Sequence, residues 1–351
     1  MSPWMIPPTV LLGVALTGCA DLPYYWQAAG GQFELWQRSR PIDELVADQT
    51  TEANIKARLE RVQAIRAFAS RELGLPDNAS YRSYADLGRP FVVWNLFAAP
   101  DLSLNPKEWC FPVAGCVSYR GYFAEAGARA LAGELEAQGL DTYVGGVPAY
   151  STLGWLADPL PSTVIGYPDL DLARLIFHEL AHQVVYVPGD TLFNESFATA
   201  VEREGVRRWA EARGTPSDLN RLAEAEARTA AFTGIVLGAR ARLEQVYASP
   251  GDAQTKREAK TRIIDGLRSD YARIKADWGG VGRLDAWFAG PLNNAQIASV
   301  AVYTQRVPAF SALLRQLGGD LPRFYAEVKE LARLPKAERH SRLADLGQTD
   351  H

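Results

Sequence analysis

Apolar positions recur at helical spacing through most of the chain and alternate in strand fashion only in its first half. Residues 22–45 and 51–73 read as helices, the second ended by Gly74, Pro76 and Asn78. The run Phe-Val-Val-Trp-Asn-Leu-Phe over 91–97 reads as a strand. A cysteine-bearing turn leads from it to a second extended stretch over 117–123. Residues 124–138 are helical in pattern, and 142–153 are extended again. A helix is then predicted over 172–187, with Asp169 or Asp171 placed to cap its first amides and Pro188-Gly189 to stop it. Further helical patterns cover 195–209, 218–247, 253–278, 292–317 and 321–334; Pro250-Gly251, Gly279-Gly280 and Gly318-Gly319 separate the last four. The pattern predicts an α+β fold: a small sheet before the helix over 172–187, and a mainly helical second half.

That helix carries His178-Glu179-Leu180-Ala181-His182. Two histidines at i and i+4 share one helix face and can grip one Zn²⁺, while Glu179 is placed to act as general base on a water activated by the metal. The chain has four histidines, and two fall in this motif. A third ligand must come from elsewhere. Glu195 opens the next helical pattern, 13 residues after His182; Glu202, two turns on, is its rival, and Glu204 is a third candidate.

Composition narrows the function classes. With 37 basic and 41 acidic residues spread through the chain and a net charge of −4, nothing favours nucleic acid. Residues 5–17 are mostly apolar but too short to span a bilayer comfortably. Cys110 and Cys116 read either as a short disulfide loop, suited to an oxidising compartment, or as a buried reduced pair.

Leu16-Thr17-Gly18-Cys19 resembles a bacterial lipobox. The resemblance implies a lipoprotein signal peptide over 1–18, acylation of Cys19 and attachment to a membrane through it. Ala20 after the cysteine resembles lipoproteins sorted to the outer membrane, facing the periplasm of the cell envelope. What remains is a metallopeptidase domain over 19–351, either undivided or formed from two intimate lobes, 19–187 and 188–351.

His-Glu-Leu-Ala-His-Gln (178–183) and Asn-Glu-Ser-Phe-Ala-Thr-Ala-Val-Glu (194–202) resemble the zinc-site helices of gluzincin metallopeptidases, above all neutral zinc aminopeptidases, which carry a similar Asn-Glu-Gly-Phe-Ala stretch. The connection here is several residues shorter, and Ser196 stands where that group usually has glycine. The likeness implies a zincin-like fold with His178, His182 and Glu195 as ligands of one Zn²⁺ per chain and Glu179 as catalytic base. Gluzincins also commonly draw a tyrosine or histidine from the helical region to stabilise the oxyanion. Tyr303 is placed first for that role, with Tyr247 second.

A second resemblance spans more of the chain. Cys-Phe-Pro-Val-Ala-Gly-Cys (110–116), Tyr-Arg-Gly-Tyr-Phe (119–123) and Ala-Tyr-Ser-Thr-Leu-Gly-Trp (149–155), with the zinc segment, are similar to a predicted bacterial aminopeptidase family of lipoprotein-like metallopeptidases. It implies removal of N-terminal residues from peptide or protein substrates. Two alternatives stand beside it: an endopeptidase acting on envelope proteins, and a noncatalytic zinc-binding lipoprotein. For substrate, an edge strand near Tyr150-Ser151-Thr152 is predicted to pair with an extended peptide, with Gly145-Gly146 allowing close approach. Glu125, Asp141 and Asp158 are the acids available to receive a free amino group, and Asn293-Asn294 are placed to line a cleft.

Overall fold

A computed structural model describes residues 22–111, 114–149, 151–282 and 284–348. The leader over 1–18, the lipobox cysteine Cys19 and the proposed edge residue Tyr150 lie outside the described residues. Helix α1 (Leu22–Gln37) is followed by strand β1 (Ser39–Pro41), the short helix α2 (Ile42–Ala47) and the long helix α3 (Ala53–Leu73). The single helix read over 22–45 is thus two. Pro41 disfavours helical backbone at Arg40 and cannot donate its own amide, and Ser39 to Pro41 instead pair antiparallel with β2 (Ser83–Ala85). Strand β2 also pairs in parallel with β8 (Leu160–Pro161).

The second sheet builds one wall of the site. Its central strand β3 (Val93–Pro100) lies between β6 (Arg120–Tyr122) and β7 (Leu140–Val147), both antiparallel to it. Pairing runs from Val93 opposite Val147 to Pro100 opposite Leu140, so Asn95, Phe97, Tyr143 and Gly145 share one face. Helix α4 (Glu125–Ala137) covers the other face through Ala132 and Leu135 against Leu96 and Ala98. Strands β4 (Trp109–Phe111) and β5 (Gly115–Val117) form a hairpin with Cys110 opposite Cys116, and a disulfide joins the two. The extended reading over 142–153 ends at Val147; Ser151 and Thr152 sit in a loop, and the sheet edge is β7 itself.

The remaining elements are helical: α5 (Ser162–Ile165), α6 (Asp169–Ala181), α7 (Thr191–Arg213), α8 (Pro216–Ala248), α9 (Ala253–Asp277), α10 (Asp285–Ala289), α11 (Asn294–Thr304), α12 (Val307–Gln316), α13 (Leu321–Arg333) and α14 (Lys336–Gln348). The helix predicted over 292–317 is two, divided at Gln305 and Arg306; Pro308 enters in the first turn of α12, where its missing amide costs no helical bond. Helix α14 went unpredicted. The main core joins Phe68 of α3 and Phe177 of α6 to Phe193 and Phe197 of α7, Phe310 of α12 and Phe324 of α13. A second cluster holds α8 to α9 through Val236, Leu243, Ile264 and Leu267.

One buried ion cluster locks the end of the chain to the start of α7. Asp190, 1% exposed, caps α7 by accepting from the Phe193 amide (3.2 Å). It also accepts from Arg339 Nε (2.8 Å) and Nη2 (2.7 Å), and from His340 Nε2 (2.8 Å). Burial works to raise the Asp190 carboxyl, but bonds from His340 and Arg339 hold it below the usual carboxylate range. Asp190→Asn strands the buried Arg339 and is expected to cost about 3–5 kcal/mol in urea denaturation. Because the folded value is the lower one, the aspartate's contribution is complete above the unfolded value of about 3.9 and is lost as pH falls through the folded value. Stability should therefore fall more steeply with acid in the native protein than in Asp190→Asn.

Candidate metal centre

Helix α6 begins after Pro168 with Asp169 and Asp171 in its first turn, where acids favour the partial positive charge of exposed amides; neither side chain makes a cap bond. Arg58 (2.5 Å) and Arg61 (2.8 Å) hold Asp169. The helix stops at Ala181 with His182 as its cap residue, short of the predicted 187. The cause lies in α7: Asn194 accepts from the Val187 amide (2.8 Å) and donates to the Val187 carbonyl (2.9 Å), folding 183–190 into a turn. Gln183 is fixed from the other side by Asn78 Nδ2 (2.7 Å) and Ser80 Oγ (3.2 Å), and buried Arg66 organises their loop through the carbonyls of Pro76, Asn78 and Ser80.

This turn sends α7 back antiparallel along α6. Glu195 then faces His178 and His182, while Glu202 lies beside His178 and Arg174. The Nε2 atoms of the two histidines are 3.2 Å apart, and Glu195 Oε2 lies 3.3 Å from the first and 3.7 Å from the second. Four-coordinate Zn²⁺ with donors at about 2.0–2.1 Å spaces adjacent ligand atoms roughly 3.3 Å apart. The triangle has the size and the donor chemistry for such an ion, and His178, His182 and Glu195 form a cluster able to chelate a metal.

The rival acids take other places. His178 Nδ1 donates to Glu202 Oε2 (2.8 Å), and Arg174 holds Glu202 at 3.3 Å. This bond turns His178 Nε2 toward the cluster, as carboxylates behind ligating histidines do. Glu204 pairs with Arg207 and Arg208. Burial lowers the proton affinity of His178, but Glu195 and Glu202 outweigh it and raise its pKa well above the ordinary value. Glu195 is driven down to about 2, burial opposing and the two imidazoles prevailing. A bound dication would reverse the balance at His178, since a ligating imidazole is neutral.

Glu179 is raised above the usual carboxylate range by burial, which exceeds the opposing pull of His178 and His182. Tyr303 reaches the same region from α11. Its phenol is pushed well above its ordinary value by burial first and by the Glu195 charge second, and Tyr119, in the link from β5 to β6, is raised for the same two reasons. Tyr247 lies elsewhere, donating to Asn294 Oδ1 (2.8 Å). Asn293 and Asn294 are engaged by the sheet and by their own helix. Asn293 caps α11 and donates to the Thr142 carbonyl (2.8 Å); buried Asn294 donates to the carbonyls of Pro100 (3.0 Å) and Asp101 (2.7 Å).

Of the three acids considered for an amino terminus, Glu125 pairs with Arg129 at the surface, and Asp141 binds Lys260 (2.7 Å) and the Asn294 amide (2.9 Å). Asp158 is buried and accepts from the Thr152 amide (2.9 Å) and Ser151 Oγ (3.2 Å). Burial raises it, and its charge acts in turn on Glu179. An open groove of about 320 Å³ runs beside Tyr303, lined by Asn95, Phe97, Tyr143 and Gly145 of the sheet and by Phe232 of α8. Tyr119, Asn95 and Tyr143 carried no local signal in the sequence, since only strand register and the docking of α11 bring them here.

A family model described as a putative aminopeptidase matches residues 23–343. That span is most of the chain, which therefore belongs to this putative aminopeptidase family. No curated protein and no solved structure matches the chain. For the metal centre, His178→Ala and Glu195→Ala are each expected to abolish tight binding of one metal ion per chain, read by elemental analysis of the purified protein. Glu202→Gln should keep the stoichiometry but weaken affinity by about 10–100-fold in chelator competition. Loss of the ion from Glu202→Gln together with full retention by Glu195→Ala would exchange the two roles.

Proposed function

We propose that this member of the putative aminopeptidase family is a zinc-dependent peptidase of gluzincin type, removing N-terminal residues from peptides in the bacterial cell envelope. The observation that carries the reading is the meeting of His178 Nε2, His182 Nε2 and Glu195 Oε2 within 3.7 Å, where α7 returns along the helix that presents Glu179. Bound Zn²⁺ would supply Lewis acidity toward a peptide carbonyl and toward water.

The protein's own groups then divide the work. Glu179, its proton affinity raised by burial, takes a proton from the attacking water and passes it to the leaving amine. Tyr303, kept protonated at neutral pH by burial and by the charge of Glu195, donates its hydroxyl to the oxyanion that forms on the carbonyl. Substrate lies in the groove. Strand β7 has no sheet neighbour on its outer side among the described residues, so an extended peptide can pair with it there. A Cβ at Gly145 would come within 3.2 Å of the Tyr143 ring and narrow the groove floor. Asp158, buried and paired with no cation among the described residues, is the acid that receives the free amino group.

Acylation at Cys19 would hold the enzyme on the membrane. No helix among the described residues is long and apolar enough to cross one, and the bond between Cys110 and Cys116 suits an oxidising compartment.

Purified protein is expected to release single residues from peptides with free amino ends and to leave acetylated peptides intact. Internal cuts in acetylated peptides would make it an endopeptidase instead. Glu179→Gln should retain metal and fold while losing at least about 100-fold in turnover; equal turnover would remove Glu179 from the mechanism. Asp158→Asn is expected to raise KM for free-amine peptides. Tyr303→Phe, which deletes one hydroxyl, should lower kcat by about 100-fold with KM little changed, the signature of a donor that acts on the transition state.

A further inference from the structure

Helix α1 has two unlike faces. At 100° per residue, Tyr24, Gln27, Gly31 and Leu35 fall on one side. Tyr24 stacks on Phe111 (5.5 Å between ring centroids) and lies under the Arg120 guanidinium (4.0 Å). Gln27 Oε1 accepts from the Phe123 amide (3.0 Å), and a Cβ at Gly31 would sit 2.0 Å from the Phe123 ring, so this face is pressed against β4, β6 and Phe123. The opposite arc, about 100° wide, carries Leu22, Tyr25, Trp26, Ala29, Phe33 and Trp36 and nothing polar. All of them are exposed, Trp26 at 82%. Of the eight large hydrophobic side chains exposed among the described residues, five lie on this helix. The only charge on α1 is Glu34, which is neutralised by Arg89 (2.9 Å) and Arg38 (3.1 Å).

We propose that this aromatic arc is a membrane-docking surface: α1 lies along the bilayer interface with Tyr25, Trp26, Phe33 and Trp36 among the headgroups and upper acyl chains. The choice of a bilayer as occupant comes from the chain ahead of the helix. Leu22 follows Cys19 by three residues, which reach at most about 11 Å when extended. On the reading that Cys19 is acylated, the start of α1 cannot leave the interfacial zone. Tryptophan and tyrosine favour that zone because a ring can bury its body while its polar edge stays wet. Glu34 is matched by Arg89 and Arg38, and Asp48 by Arg40 (3.2 Å), so the acids beside the arc are compensated and do not oppose docking on an anionic surface. Since α1 is packed on β6, and β6 belongs to the sheet that floors the groove, docking fixes the orientation of the catalytic body above the membrane. Acyl chains on a short tether would not do this by themselves.

The test uses the full-length processed protein with a fluorophore on Phe33→Cys, or on Gln254→Cys as an exposed reference, added to vesicles of phosphatidylethanolamine and phosphatidylglycerol. The Phe33 label should shift to the blue and be quenched by lipid-borne nitroxides, while the Gln254 label should be quenched by aqueous iodide. In a Cys19→Ser background, vesicle flotation should fall by roughly tenfold or more when Trp26, Phe33 and Trp36 are all changed to Ser, with the circular dichroism unchanged. If mass spectrometry finds acylated Cys19 on protein whose Phe33 label stays as wet as the Gln254 label, the docking surface is refuted and the lipid anchor stands. If Cys19 is unmodified, the anchor fails, and flotation of the Cys19→Ser protein still decides for or against the helix. Shielding of the Phe33 label by dimerisation without vesicles would assign the arc to a second copy and overturn the proposal.

Discussion

The antiparallel return of α7 along α6 is the constraint on which the rest of the site depends. Two histidines one turn apart can present two donors without help, but a third donor requires a second helix held in one register to within a fraction of an ångström. That register is set by Asp190, which begins α7, and by Asn194, which clamps both polar groups of Val187. The core side chains Phe177, Phe193 and Phe197 then fill the space under the pair. A slip by one residue would rotate Glu195 by about 100° away from the histidines, and would take Glu202 from His178 as well. The same clamp explains why α6 ends where it does, for the turn over 183–190 cannot be both helical and bonded to Asn194.

Around this register the charges are arranged in order of distance. Glu195 faces both imidazoles, Glu202 stands behind one of them, and Arg174 stands behind Glu202. Each group is compensated by the next, which is what allows so many ionisable side chains to share a buried space. Glu179 lies outside that chain of pairs. Burial is its largest influence and outweighs the pull of both imidazoles, so its affinity for protons is raised where that of Glu195 is lowered. Two glutamates that feel the same pair of histidines are thereby moved in opposite directions. The difference comes from surroundings and not from residue type.

His178, Glu179, His182 and Glu195 were legible in the sequence because their relation is local: an i, i+4 pair, an adjacent acid and the opening turn of the next helix. Tyr303 was named only because the gluzincin likeness implies a tyrosine or histidine from the helical half; its neighbours Tyr119 and Tyr143 had no such pointer, because no spacing along the chain predicts that β3, β7 and α11 converge. The choice between Glu195 and Glu202 was open for the same reason. Both lie on the face of α7 that turns toward α6, and only the crossing register separates a group 3.3 Å from His178 Nε2 from one 2.8 Å from Nδ1. Helix breaks followed nearby proline in one case, at Pro41. At His182 and Gln305 the chain breaks where other bonds compete, from Asn194 seven residues on to Val187 and from the Arg306 amide to distant Ser196. The cluster of Asp190 with Arg339 and His340 joins residues about 150 apart and left no trace in local pattern.

Helix α1 shows a different limit of the same kind of reading. A period of apolar residues identifies a helix and the face that avoids water, but not the medium that face is turned toward. In α6 and α7 the apolar stripe meets protein. In α1 Tyr24, Gly31 and Leu35 lie toward the body, while Leu22, Tyr25, Trp26, Phe33 and Trp36 lie away from it, the reverse of the balance in a core-facing helix. The glycine belongs on the inner face because Phe123 occupies the space a side chain would need. A contiguous exposed patch of large apolar side chains is the mark of an interaction surface. The two features belong together: the close packing of Tyr24 and Gly31 on Phe111, Tyr122 and Phe123 ties α1 to the sheet, so whatever meets the outer arc is held in a fixed relation to that sheet.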